Sequence, residues 1–194
     1  MFGYNRRMPK PRKIEDDELT RKLTAIFKEV GYDAASLASL SEATGLKKAS
    51  LYHRFPGGKE QMAEEVLAAT RELLNEHLFP ALADDSSPDR KMAAFVKIID
   101  AFYASGNESC LLNVMAPPRG QENGRSAAIA SIFQRLSEAL AHVAEEAGSP
   151  KRKAKMRAEQ ALVELHGALI LSRGMSDTTV FQRMLGRLPG IVLA

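Results

Sequence analysis

Residues 45–59, GLKKASLYHRFPGGK, gather side chains suited to holding a polyanion rather than to breaking bonds. Lys47 and Lys48 can neutralise phosphates or reach guanine O6 and N7, while Ser50 and the small Ala49 allow close approach to base edges. The hydroxyl of Tyr52 can donate to a phosphate, its ring can rest on a sugar or a thymine methyl, and His53 stands beside it. Pro56-Gly57-Gly58 then closes the segment. Lys59 opens the next helix, where a cation and the free N–H groups of a helix start can grip a phosphate together. Ser36 and Thr44, at the two ends of the preceding helix, complete the candidate DNA-contacting set.

The elements that must position these residues are all helical. Glu15, Asp16, Asp17 and Glu18 suit the positive end of a first helix, whose apolar positions Leu19, Leu23, Ile26, Phe27 and Val30 recur at helical spacing until Gly31 ends it. A short helix follows over Leu37–Thr44 with Ser36 as N-cap, Gly45 makes the turn, and Lys48–Phe55 forms a helix of about two turns. Leu37, Leu40, Leu46, Leu51 and Phe55 hold this pair together from inside. Two short helices about a glycine turn, braced by a third, make a helix-turn-helix whose second helix enters the major groove. A long helix is predicted over 59–79, stopped by Pro80. Further helices are predicted over 87–105, 125–147, 149–173 and 177–188, with the Pro- and Gly-broken segment 106–124 between the first two of them. The fold expected is all-α, with DNA-binding residues 1–58 (a basic arm included) and a helical body over 59–194.

Charge follows the same division. The 194 residues carry a net +3, but residues 1–60 hold twelve Lys/Arg against eight Asp/Glu, an excess of +4, and the remainder balances at −1. That is how a basic reading head on a near-neutral body is built. The single cysteine, Cys110, excludes an intrachain disulfide framework and suits a reducing cytoplasm. No apolar run approaches the roughly 18 residues of a membrane span, and the basic N-terminus lacks a signal-peptide core, so a cytoplasmic location and no membrane partner are expected.

Enzymatic readings find little support. Glu-x-x-His pairs are absent, because Leu74, Ala139 and Val163 stand three residues before His77, His142 and His166. His-Glu-x-x-His and phosphate-cradling glycine loops are also missing, so no catalytic set, metal or cofactor is expected. Glu138, His142 and Glu145 read as a solvated polar face. A helical enzyme or an interaction adaptor without a DNA role remains the alternative, and the adaptor leaves residues 45–59 unexplained.

Residues 31–67, GYDAASLASLSEATGLKKASLYHRFPGGKEQMAEEVL, resemble the DNA-binding signature of the tetracycline-repressor-like (TetR) regulators. The specific parts are Gly31-Tyr32, Ala43-x-Gly45-Leu46, Leu51-Tyr52-x-x-Phe55 and Lys59-Glu60. Lys47 departs from the pattern, where Ser, Thr or Pro usually starts the reading helix, and no oxygen is left to cap it. The resemblance implies a homodimeric repressor on a palindromic operator of double-stranded DNA, released by a small apolar effector.

In the body, two apolar stripes read either as core or as a dimer surface. The resemblance implies the latter, an intermolecular four-helix bundle through Ala161, Leu162, Leu165, Ala168 and Leu169 on one helix and Phe181, Met184, Leu185 and Leu188 on the next. It likewise implies an effector pocket from Met92, Phe95, Phe102, Tyr103, Leu111, Met115 and Phe133. Segment 106–124 suits a lid, and Cys110 within it reads as a buried spectator thiol, with a redox sensor as the alternative. The basic run 151–157 reads as a solvated helix end, with a secondary contact to DNA or an acidic partner as the alternative.

Overall fold

The computed structural model describes residues 15–121 and 123–194; the basic arm predicted through Lys13 lies outside them. Ten α-helices appear among these residues, and no strand. Helix α1 (Asp16–Ala34), α2 (Leu37–Thr44) and α3 (Lys48–Arg54) make the head. Gly31 interrupts α1 at φ 79°, ψ 169°, so the regular helix ends at the expected glycine and one further turn follows. Ser36 caps α2 by accepting from the Ser39 N–H, and Gly45 turns the chain at φ 72° with no atom near enough to demand the missing Cβ.

The body begins with α4 (Gly58–Leu73), which continues through a π turn at Leu74–Leu78 into α5 (Phe79–Ala83). Pro80 therefore does not stop the helix. A proline ring lacks an N–H and crowds the carbonyl one turn back, and the wider turn just before it, closed by the Phe79 N–H on the Leu74 carbonyl, makes room. Then come α6 (Pro88–Phe102), a tight 3₁₀ turn at Ala104–Gly106, α7 (Leu111–Val114), α8 (Gly124–Glu146), α9 (Lys151–Met175) and α10 (Thr179–Leu193). The last helix runs on through Pro189 beyond its predicted end.

Head and body share one core. Leu19, Leu23 and Phe27 of α1 and Leu40, Leu51 and Phe55 of the α2–α3 pair are buried in a cluster continuous with Met62, Val66 and Leu67 of α4 and on to α10. Lys91 at the start of α6 is 2% exposed, and its Nζ donates to both Glu146 carboxylate oxygens at 2.8 and 2.6 Å, fastening α6 to the end of α8.

Candidate nucleic-acid interface and effector cavity

The inner face of the α2–α3 pair is sealed by Leu40, Leu51 and Phe55, each no more than 1% exposed. What remains outside is a continuous surface of Lys47, Lys48, Ala49, Ser50, Tyr52 and His53, all exposed, with Ser36 exposed at the start of α2. Tyr52 is 54% exposed despite its large apolar ring. Lys47 occupies the N-cap of α3 in an extended conformation and gives the helix no side-chain cap. Arg54, the last residue of α3, pairs with Asp16 at 2.5 Å and ties the reading helix to α1.

Two residues of the predicted contact set face elsewhere. Thr44 is 2% exposed; its hydroxyl donates to the Leu40 carbonyl at 2.7 Å and lies 3.4 Å from the Leu46 N–H, so it staples the turn rather than facing outward. The Lys59 ammonium donates to the Tyr32 carbonyl at 2.9 Å and the Asp33 carbonyl at 3.4 Å, and sits 4.3 Å from the Tyr32 ring centre. It is thus engaged with the orphan carbonyls at the end of α1, where a cation is favoured, instead of being free for phosphate.

The same corner links head and body. The Tyr32 hydroxyl donates to Glu60 Oε2 at 2.6 Å, and Arg125 at the start of α8 lays its guanidinium 3.3 Å from the centre of the Tyr32 ring. Arg125 Nε lies 3.5 Å from Glu60 Oε1, yet Nε, Nη1 and that oxygen are buried without an aligned hydrogen bond. Burial, followed by the hydrogen bond and charge of Glu60, pushes the Tyr32 phenol up to about 12.

Within the body, Phe95, Phe102, Tyr103 and Leu111 line one cavity with Thr70, Ile99, Cys110, Leu136, Leu162, Leu165 and His166. It is tight in this state: about 20 Å³ is open to a water-sized sphere, room for about one water. Three predicted effector residues lie off it. Met92 and Met115 are fully buried in the surrounding core, and Phe133 lines a separate surface groove with Leu162 and Val163. Sequence reasoning missed His166, which helical spacing alone does not distinguish from a packed histidine.

The residues of the predicted dimer stripe face inward in the single chain. Ala161, Leu165, Ala168, Leu169, Phe181, Met184, Leu185 and Leu188 are each at most 6% exposed in the single chain, and Leu162 is half-buried against the same core. They are the inward face of α9 and α10 and have little surface left to offer. The outward face of α9 carries Val163, Ile170, Leu171 and Met175, between 53% and 65% exposed. Beside it a groove of about 450 Å³ is lined by Gly167, Leu171, Val180 and Ile191. Among the described residues no cluster of His, Cys, Asp and Glu could hold a metal, and no helix is long and apolar enough to cross a membrane.

A three-helix unit whose third helix presents an exposed cationic face, mounted on a helical body, is the arrangement of a helix-turn-helix DNA-binding unit. Residues 20–66 match the family described as bacterial regulatory proteins, tetR family. Two curated relatives come from Bacillus subtilis. The HTH-type transcriptional regulator LmrA is 27% identical over 104 residues, 54% of this chain and 53% of its own length. The uncharacterized HTH-type transcriptional regulator YxaF is 34% identical over 82 residues, 42% of each chain. These matches therefore span about half the length of those relatives or less. In fold, the crystal structure of a TetR transcriptional regulator from Legionella pneumophila superposes with a TM-score of 0.80 at 22% identity, covering 93% of this chain and 98% of that one. Residues 20–66 thus match the DNA-binding unit of the tetR regulators, and over nearly its whole length the chain shares the fold of the Legionella structure.

Proposed function

We propose that this regulator is a cytoplasmic repressor that binds a palindromic operator as a homodimer and is released when a small apolar effector enters the body. The observation that carries the reading is the exposed surface Lys47–Ser50, Tyr52 and His53 around a helix anchored inward by the buried Leu51 and the Phe55 that follows it. On this reading residues 1–58 bind DNA and residues 59–194 bind effector and partner subunit. Two reading helices of a dimer then stand one DNA turn apart, roughly 34 Å, and occupy adjacent major grooves.

The cavity lined by Phe95, Phe102, Tyr103 and Leu111 supports effector binding, since its closed state leaves a ligand to open it. Opening bears on the head along two routes: Thr70 belongs to α4, which begins at the Glu60 corner, and Leu111 belongs to α7, which lies against α1. An effector preferring the opened body by a few kcal/mol suffices to empty the operator.

The test is selection of bound sites from random double-stranded DNA, with gel-shift titration on the recovered site. A palindrome is expected, and Lys48→Ala combined with Tyr52→Ala should weaken binding roughly tenfold or more while reducing its salt dependence by about one phosphate contact. Unchanged affinity in that double variant overturns the assignment of the reading helix.

A further inference from the structure

Cys110 stands between α6 and α7 in a setting that a spectator thiol does not need. It is 5% exposed and forms part of two walls at once: the closed apolar cavity, and an open groove of about 430 Å³ lined by Ser109, Asn113, Ile170 and Arg173. His166 of α9 lines both spaces with it. The imidazole Nδ1 lies 2.8 Å from the Leu162 carbonyl oxygen, which can only accept, so the neutral ring carries its proton there and Nε2 keeps a lone pair. That Nε2 is fully buried without an aligned hydrogen bond in this state, and the one thiol in the chain shares its cavity wall.

Burial alone pushes the Cys110 thiol up. The interaction with His166, joined by the Tyr103 hydroxyl and the Asn113 backbone N–H, more than offsets this and leaves the thiol below its ordinary range. Burial likewise pushes His166 down, and its interactions with Cys110 and the Leu162 carbonyl raise it above the ordinary imidazole value. Burial, then the Cys110 charge, holds the Tyr103 phenol well above the usual range, so it stays a hydrogen-bond donor. A nucleophile, a base and an acid thus share one apolar cavity, with the Arg173 cation lining the outer groove.

We propose that Cys110 captures a small apolar α,β-unsaturated carbonyl compound covalently, with His166 as base and Tyr103 as hydrogen-bond donor to the carbonyl oxygen. Nε2 takes the thiol proton, and the sulfur lone pair forms a C–S bond to the β-carbon. The C=C π pair moves toward the carbonyl to give an enolate held by Tyr103. The imidazolium then returns its proton to the α-carbon, so S–H has added across the double bond with nothing oxidised and no group lost. A carbon electrophile fits better than an oxidant, because the lining is apolar and the chain has no second cysteine to resolve a sulfenic acid.

The regulatory consequence rests on the repressor reading; the addition itself does not. Cys110 precedes α7, whose Val114 carbonyl would stand 3.4 Å from a Cβ at Gly31 of α1, and Glu108 pairs with Lys28 of α1. The new substituent has no room in a cavity that holds about one water, so it displaces this segment and the head resting on it.

The test treats the full chain with cyclohexenone near neutral pH, with saturated cyclohexanone as control, and reads adduct mass together with operator binding. One adduct on wild type, none on Cys110→Ser, and a rate at least about tenfold lower in His166→Ala or His166→Gln is the expected result, with the pH midpoint of alkylation moved up in both histidine variants. Tyr103→Phe should slow cyclohexenone more than iodoacetamide, which develops no enolate. Operator release by cyclohexenone in wild type but not in Cys110→Ser completes the proposal. No adduct on the wild type, or a rate and pH midpoint indifferent to His166, overturns the capture site. Adduct formation with the operator still bound overturns its regulatory half. Failure of the untreated protein to bind any DNA sinks the repressor reading and leaves the adduct result standing by itself.

Discussion

Tyr32 carries three interactions at once: its hydroxyl on Glu60, its carbonyl under Lys59 and its ring under Arg125. Its phenol is raised from 10.0 to about 12, which fixes the sign of a pH effect. An acid whose folded value is raised contributes stability that is complete below the unfolded value and is lost as pH rises through the window from 10 to about 12. Tyr32→Phe should therefore flatten the loss of thermal stability in that window and remove one late-titrating phenol from the ultraviolet tyrosinate curve. An identical alkaline profile in the variant excludes the Glu60 corner as its cause. Gly31-Tyr32 and Lys59-Glu60 are legible as parts of one motif in the sequence. Arg125 is not, because a guanidinium on a distant helix leaves no mark on the spacing around Tyr32. Lys59 misleads for a related reason. A lysine at a helix start reads as free for phosphate until the carbonyls of another helix are found within its reach.

At the scale of elements, the α2 boundaries follow from local chemistry, since Ser36 and Gly45 are a capping serine and a left-handed glycine whose roles need no tertiary partner. Pro80 shows where local chemistry falls short: a proline ends a helix unless the preceding turn widens, and packing decides that. The bare cap of α3 is a departure that the structure keeps. Lys47 sits at the N-cap, exposed, with no oxygen to offer. Replacing it with serine restores a cap and removes a cation from the DNA face, so the two effects should separate. Lys47→Ser is expected to gain about 1 kcal/mol in denaturant unfolding. Its operator affinity should fall, most visibly at low salt, with a shallower dependence on salt concentration. A variant that is more stable and binds DNA as well as wild type assigns no contact to Lys47.

For the whole molecule, the question the sequence leaves open is which face of α9 is inside. Period alone does not answer it, because apolar residues occupy both sides of this helix. Ala161, Leu165, Ala168 and Leu169 face the core, and Val163, Ile170, Leu171 and Met175 face out. Small alanines in the sequence suggest a surface where helices of two chains approach; they are instead where α9 approaches its own neighbours closely. The outward set, continuous with the groove beside Gly167, Leu171, Val180 and Ile191, is the better candidate for the partner subunit, since exposed apolar area of this kind marks an association surface. Val163→Glu combined with Leu171→Glu places two charges there and removes nothing from the core, so helicity and unfolding of the single chain should change little. If the proposed homodimer forms through this face, sedimentation should show a dimer for wild type and a monomer for the variant at the same concentration. Operator affinity should fall by about 10²–10⁴, because each reading head loses the effective concentration that the other supplies. Tyr52→Ala should weaken binding with the dimer intact, which separates contact from assembly. A doubly charged variant that still sediments as a dimer would place the interface elsewhere on the body.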